Sequence, residues 1–339
     1  MEFALLQETS QLEALGLEWN HLLTRSISNV PFLRHEYMSA WWKTRGGGEW
    51  PHARLQLVTA RKDGELVGIA PLFLEGNRLL LLGSIEISDF LDVIAELSDL
   101  PAFVNGMLDF LSTPGIASEN AAWRHLDWYN LIETSPTVLL LQAAAEKRGW
   151  VVRQEKLHPS PYIPLPGDYD TYLASIDKKQ RHEIRRKMRR AADYDNSVNW
   201  YIVTDESSLE ADTQAFLTLM ANDPVKQQFL SHAMRVQVQD IAQAAFQSGW
   251  LQLAFMEVNG EKAAGYLNFD FNNRIWVYNS GIDRRFIEYS PGWVLLGHLL
   301  QWANENKRVE FDFLRGGEDY KYRFGAIDRF VVRVNVERR

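Results

Sequence analysis

Apolar positions along this chain fall into short alternating runs separated by turn residues, and the runs recur. Leu55-Gln56-Leu57 opens an apolar stretch that ends at Asp63-Gly64-Glu65, and Leu251-Gln252-Leu253 opens another that ends at Asn259-Gly260-Glu261. Asp-Gly and Asn-Gly tolerate the positive φ of tight hairpin turns, so each stretch predicts a strand turning back on itself. A strand containing Gly68 or Gly265 follows, then a second turn at Gly76-Asn77 or Asn272-Asn273, then Arg78 to Gly83 or Arg274 to Gly281. Each half is therefore expected to hold a three-stranded antiparallel meander. Upstream, Phe32-Leu33-Arg34-His35 is matched by Phe229-Leu230-Ser231-His232, at an offset of about 197 residues. Downstream, a helix-like segment precedes a strand carrying one acid among apolar neighbours, His125-Leu126-Asp127-Trp128 in one copy and Glu310-Phe311-Asp312-Phe313 in the other. Landmarks that keep both order and spacing read as an ancient duplication.

The copies are separated by punctuation. Pro159, Pro161, Pro164, Pro166 and Gly167 forbid a continuous helix, which places two domains at 1–160 and 161–339. Before this break Val138 to Arg148 predicts a helix closed by Gly149, and after it Tyr162-Ile163 predicts a short strand. Gly46-Gly47-Gly48 predicts a loop after a Trp-rich helix. The final strand, Phe330 to Val336, has two candidate partners, its own half or the first.

Composition narrows the chemistry. The 339 residues are 46% apolar and 24% charged, ordinary globular stock sufficient for two cores. Cysteine is absent, which excludes disulfides, thiolate nucleophiles and Cys-type metal sites. The eight histidines form no HExxH pair, and there is no GxxxxGK[ST] loop, so no metal is expected and reactive groups must be oxygen and nitrogen. Met1 to Ser10 carries Glu2 and Glu8 without a basic leader, and no apolar run approaches the ~20 residues of a membrane span. These features predict a cytoplasmic protein.

A net charge of −8 makes attraction to DNA or another polyanion a local matter. Lys178 to Arg190 supplies it, with eight basic residues and one Glu, a local +7 that leaves −15 elsewhere. The run suits either a solvated helix or a phosphate ligand; RNA is the less favoured ligand, because no aromatic side chain interleaves the run for base stacking. The second copy also departs from the first after its meander, where Ser290-Pro291-Gly292 predicts a helix start, Ser290 as its cap and Pro291 at its first position, with backbone amides and the positive end of a dipole suited to phosphate. The first copy has Asp89, Asp92, Glu96 and Asp99 in the matching region, which would repel a polyanion.

This arrangement resembles the tandem branch of the GNAT acyltransferase superfamily, which includes CelD-like acetyltransferases and Fem peptidyltransferases. The likeness is strongest in Leu165 to Leu173, Lys178 to Arg186, Gly265 to Phe271, Tyr278 to Gly281, Ser290 to Gly292, Phe311 to Gly316 and Tyr320-Lys321. It implies an α/β fold of two tandem GNAT-like domains, each a mixed, mostly antiparallel sheet flanked by helices, with the donor site in the second. The implied activity is transfer of an acetyl or other acyl group from acyl-CoA to an amine of a small molecule, peptide or cell-envelope precursor. Fem relatives use aminoacyl-tRNA instead, and a non-catalytic binding protein of a polysaccharide pathway is the third reading. The resemblance puts the donor at Tyr278, Ser290, Pro291, Gly292 and Trp293. Tyr320 is the candidate acid, Asp312 a candidate base or a structural acid satisfied by Arg315, and Asn279 an orienting group. Arg181, Arg185, Arg186, Arg315 and Lys321 are the candidate phosphate and substrate cations.

Overall fold

In the computed structural model, which describes residues 1–113, 123–193 and 197–338, both halves are mixed sheets flanked by helices. The chain divides into two compact units, Met1–His158 with Phe330–Arg339, and Pro159–Arg329. The last strand, Phe330–Glu337, leaves the second half and pairs antiparallel with His125–Ile132 of the first.

In the first unit the meander is split between two sheets. Leu57–Lys62 and Glu65–Ala70 belong to a four-stranded sheet, whereas Leu72–Glu75 and Arg78–Leu81 belong to a six-stranded one. The division falls at Pro71, which has no N–H to give to a ladder, while its carbonyl accepts from the Leu82 amide at 2.7 Å. Arg78–Leu81 then runs parallel to His125–Ile132 for two residue pairs. The chain between Ser84 and Ala95 packs onto this part of the unit. Trp50 Nε1 donates to Ser84 O (2.7 Å), Asn130 Nδ2 to Ser88 O (2.8 Å), and Leu91 N to Asn130 O (2.9 Å). Ile94–Ala95 finally adds a strand beside Glu65–Ala70. Asp92, expected at a polyanion-repelling surface, is instead buried and accepts from the Ser135 hydroxyl (2.6 Å); burial pushes its carboxyl up to about 6.

The second unit keeps its meander intact. Its six strands are β1 (Tyr162–Pro164), β2 (Val198–Ile202), β3 (Leu251–Val258), β4 (Glu261–Phe271), β5 (Arg274–Ile282) and β6 (Glu310–Asp312), ordered β1-β6-β5-β4-β3-β2. Its helices are α1 (Tyr169–Ser175), α2 (Lys178–Ala192), α3 (Leu209–Met220), α4 (Pro224–Phe229), α5 (His232–Gln247), α6 (Pro291–Glu305) and α7 (Asp319–Arg323). Period-2 alternation along β4 sends Ala264 and Tyr266 into the core under α6, and leaves Gly265 facing Phe216 of α3. Helix α2 buries Ile184 and Ala191 and sets Met188 against Gly297 of α6. Its remaining positions are mostly basic, as the sequence suggests.

One close approach positions the site. A Cβ on Gly281 would lie 2.5 Å from the Leu219 carbonyl carbon and closer still to the Met220 amide nitrogen, so α3 meets the end of β5 backbone to backbone. Gly281→Ala is therefore expected to destabilise the protein by about 3 kcal/mol, since backbone cannot yield as a side-chain tip can. Urea denaturation reads this, and an unchanged midpoint would show that the helix and strand do not approach so closely.

Candidate functional site

The site begins where two parallel strands part. β5 and β6 pair over three positions, Arg274 with Glu310, Ile275 with Phe311 and Trp276 with Asp312. β5 then continues to Ile282 along β4, but its other side has no further β6 partner. A bulge in β5 assists the divergence: Leu267 faces Asn279 and Asn268 faces Val277, so Tyr278 is the extra residue, its ring 5.1 Å from that of Phe269.

Helix α6 starts beyond β5. Pro291 sits in its first turn, as expected, but Ser290 does not cap it. Ser290 holds a left-handed conformation (φ 52°, ψ 49°), whereas side-chain capping needs the extended region, so its hydroxyl makes no capping bond. Val294 N reaches Ser290 O at 3.0 Å; the earlier amides, Gly292 and Trp293, precede the first intrahelical bond. Trp293 carries a second polar group in the same place, an indole N–H that is buried without a hydrogen-bond partner among the described residues. The Lys187 ammonium lies 4.3 Å from the Trp293 ring centroid, and Phe324 packs against the same indole with ring centroids 4.6 Å apart. The Gly292 carbonyl accepts from Tyr266 Oη at 3.3 Å.

Tyr320, in α7, sits edge-on to Phe313 (5.9 Å between centroids). Burial, then the Tyr266 phenol and the Glu318 carboxylate, push its hydroxyl well above the usual tyrosine range, so it keeps its proton at any ordinary pH. Asn279 is held tightly: its Oδ1 accepts from Lys226 Nζ at 2.8 Å and from the Ser280 amide at 2.9 Å. Lys226 also donates to Ser280 O at 2.6 Å. Nothing in the ordinary-looking Pro224-Val225-Lys226 segment marks this lysine as a site residue; only the close packing of α3 and α4 against β5 brings it there.

Several of the expected cations are engaged elsewhere. Asp312 is fully buried and paired with Arg329, which also holds Glu310 at 3.0 Å; the expected partner, Arg315, does not make this bond. Asp312 also accepts from the Leu314 amide at 2.8 Å, the pattern of an acid that fixes a loop. Lys321, expected at a phosphate, is 3% exposed and points inward to Gly316 O (2.9 Å), Arg315 O (3.0 Å) and Glu318 (2.8 Å). Arg181 donates to Ala174 O (3.2 Å), Arg185 pairs with Asp170 (2.9 Å) and Arg186 with Glu183 (2.8 Å), all at the surface. Among the described residues no cluster of His, Asp or Glu could hold a metal, and no helix is long and apolar enough to cross a membrane.

Residues 178–322 match the family model of the acetyltransferase (GNAT) domain. The chain has the tandem GNAT fold. Its backbone resembles FemX with a TM-score of 0.64 at 11% identity, over 98% of this chain and 97% of that one. It also resembles L-PGS from Bacillus licheniformis (TM-score 0.57, 13% identity, 98% and 92% covered). A tandem GNAT protein from the clavulanic acid biosynthesis pathway gives a TM-score of 0.50 at 15% identity, with 98% and 97% covered. At such identities the likeness is one of fold. No curated protein matches the chain by sequence.

Asp312→Ala should lower stability by about 3 kcal/mol, because it strips the mostly buried Arg329 of one of its two carboxylates. Replacing the pair by Leu and Met should recover much of that loss. Chemical denaturation of the single and double variants checks it, and a neutral single substitution would refute the structural role.

Proposed function

We propose that this chain is an acyltransferase that moves an acetyl or other acyl group from acyl-CoA to an amine, with its donor site in the second unit. The observation that carries the reading is the uncapped start of α6 beside the parting of β5 and β6. The amides of Gly292 and Trp293 suit a diphosphate, since two N–H groups and the positive end of a fifteen-residue helix converge there. The unpaired side of β5 beyond Trp276 offers backbone N–H groups to a thioester carbonyl, whose oxygen gains charge as the amine attacks.

Each chemical step has a candidate. A neutral amine attacks the thioester carbon, the oxyanion is held by backbone donors, and collapse breaks the C–S bond and expels the thiolate, which takes a proton from Tyr320; the proton shed by the attacking nitrogen returns through solvent to the Tyr320 phenolate. A phenol that burial keeps protonated suits the role of acid. Asn279, locked by Lys226, orients the reacting groups. Asp312 is not part of the scheme, because its carboxylate is committed to Arg329 and the Leu314 amide. Among the described residues of the first unit the matching side of the parallel strands is occupied, since Ser84 to Ala95 packs there. This supports a single donor site per chain. The basic face of α2 favours a second reading, a Fem-like transfer from aminoacyl-tRNA, because its arginines pair only at the surface, where such pairs contribute little and are easily exchanged for phosphate.

A thermal-shift comparison separates the readings. Acetyl-CoA at 100 times its Kd should stabilise the protein by about 2.7 kcal/mol, and tRNA should not. Stabilisation by aminoacyl-tRNA alone would select the Fem-like reading, and a response to neither would leave a non-catalytic binding protein. Gly292→Glu places a carboxylate among the donor amides and should abolish the acetyl-CoA shift while leaving the melting point of the free protein within a few degrees; retained affinity would sink the donor site. Tyr320→Phe should reduce kcat about 100-fold with KM little changed, as expected for loss of a group acting on the leaving thiolate. An unchanged kcat would remove Tyr320 from the mechanism.

A further inference from the structure

Beside the donor corner lies a cavity of about 200 Å³ lined by Met220, Asn222, Asp223, Lys226, Ser280 and Arg284, among others. We infer that this cavity binds a carboxylate of the acceptor, and that Lys226 is the residue that selects it. The word acceptor rests on the acyl-transfer reading; the anion site itself does not.

The argument starts from Lys226. Its ammonium is half-buried, and both of its hydrogen-bond acceptors, Asn279 Oδ1 and Ser280 O, are neutral. Among the described residues no carboxylate lies within ion-pair distance of it. The two nearest acids are already engaged. Asp223 caps α4, accepting from the Val225 and Lys226 amides at 2.9 and 3.1 Å, and Glu318 is paired with Lys321 at 2.8 Å. Burial accordingly lowers the ammonium below the ordinary lysine range, with Asp223 and Glu318 offsetting part of the effect and Lys321 adding to it. A cation removed from water without a counter-ion is costly, and an anionic ligand would relieve it.

Charge and size identify the ligand. Lys226 and the exposed Arg284, which has no ion-pair partner among the described residues, face the single carboxylate of Asp223. The balance of one excess positive charge matches a monoanion. A phosphate dianion would overshoot it and meet Asp223. The volume falls below the roughly 300 Å³ at which ordinary small-molecule pockets begin, so the cavity accommodates a head group and leaves the rest of the molecule outside. Its position gives that group a purpose. Ile282 lines the cavity and also lies against the start of α6, its Cγ2 3.0 Å from where a Cβ on Gly292 would be. A carboxylate held at Lys226 therefore leaves an amine a few bonds away beside the donor corner. The acceptor class is a short amino acid, or a larger molecule ending in one.

Titration of the full-length protein followed by NMR tests this directly, with glycine, β-alanine and γ-aminobutyrate, the amide of each, and inorganic phosphate. At least one amino acid should bind 10-fold or more tightly than its amide. Lys226→Met, which keeps the stem and drops the charge, should lose that preference. If the variant does not fold, Arg284→Ala at the exposed rim should weaken carboxylate binding about 3-fold and serves instead. Equal binding of acids and amides, full binding by the variant, or tighter binding of phosphate would each overturn the inference. Acetyl-CoA binding is measured alongside: if it persists while carboxylates fail to bind, only this inference falls. If carboxylates bind at Lys226 and acetyl-CoA does not, the acyl-transfer reading falls and the anion site stands.

Discussion

The second unit depends on a short parallel contact. Three residue pairs tie β5 to β6, and the contact ends at Trp276 and Asp312, where Arg329 closes on both Asp312 and Glu310. A longer pairing would zip the two strands together and remove the corner into which α6 aims its first amides. A shorter one would leave Asp312 with Tyr162 of β1 as its one strand neighbour and uncover its other side. The ion pair thus sits at the boundary between the closed part of the sheet and the open part. Buried pairs of this kind add little net stability compared with apolar packing, but they penalise alternatives that leave a charge unmatched. Here the alternative penalised is a slipped register of β6, which would carry Asp312 away from Arg329.

The first unit uses the same device to a different end. Asp127, also on the strand that enters a parallel pairing, is buried and receives Arg333 (2.7 and 3.0 Å), Arg78 (3.4 Å) and Asn335 (3.1 Å). Arg329 and Arg333 are close neighbours in sequence, yet one ends the second unit and the other stands in the strand returned to the first. What differs is the treatment of the opening. Pro71 breaks the ladder at the position that, by the offset of the repeat, corresponds to Asn268, beside which the second unit has only a bulge. The first unit then fills the region beside its parallel strands with Ser84 to Ala95, whereas the second passes through a short helical turn, Arg284–Tyr289, directly to α6. A conserved scaffold with one filled and one open corner is what duplication followed by specialisation would leave.

The sequence revealed those features whose cause is local. The hairpins were legible because Asp-Gly and Asn-Gly force their turns, and the start of α6 because Pro291 suits its first turn. The strands Glu2–Leu6 and Val198–Ile202 were not, because each is an edge strand of five residues without a buried alternation to mark it. Ser290 was misread for a related reason: its residue type favours capping, but the chain enters α6 from a left-handed turn, and backbone conformation overrides the side chain. Arg315 was the obvious partner for Asp312 by proximity in sequence. Arg329 holds that place because the segment before the final strand comes back alongside β1, with Ser160 N bonded to Arg329 O at 2.7 Å.

Charge is where sequence and structure part most clearly, because sequence counts cations and only structure sorts them. Lys321 and Arg329 are spent inside the protein, one on loop carbonyls and one on two acids. Arg185 and Arg186 of α2 are paired, but with surface acids, in contacts that water and salt already weaken. Lys226 is a third kind, half-buried and answered only by neutral oxygens. For a polyanion the relevant cations are those whose present partners can be exchanged at little cost, which points to α2, including its Lys187 near Trp293. For a small anion the relevant cation is the one that gains most by being neutralised, which points to Lys226. The two demands fall on different residues, Lys187 against Trp293 and Lys226 against Asn279 and Ser280, so the proposed phosphate-bearing donor and carboxylate-bearing acceptor would not compete for each other's charges.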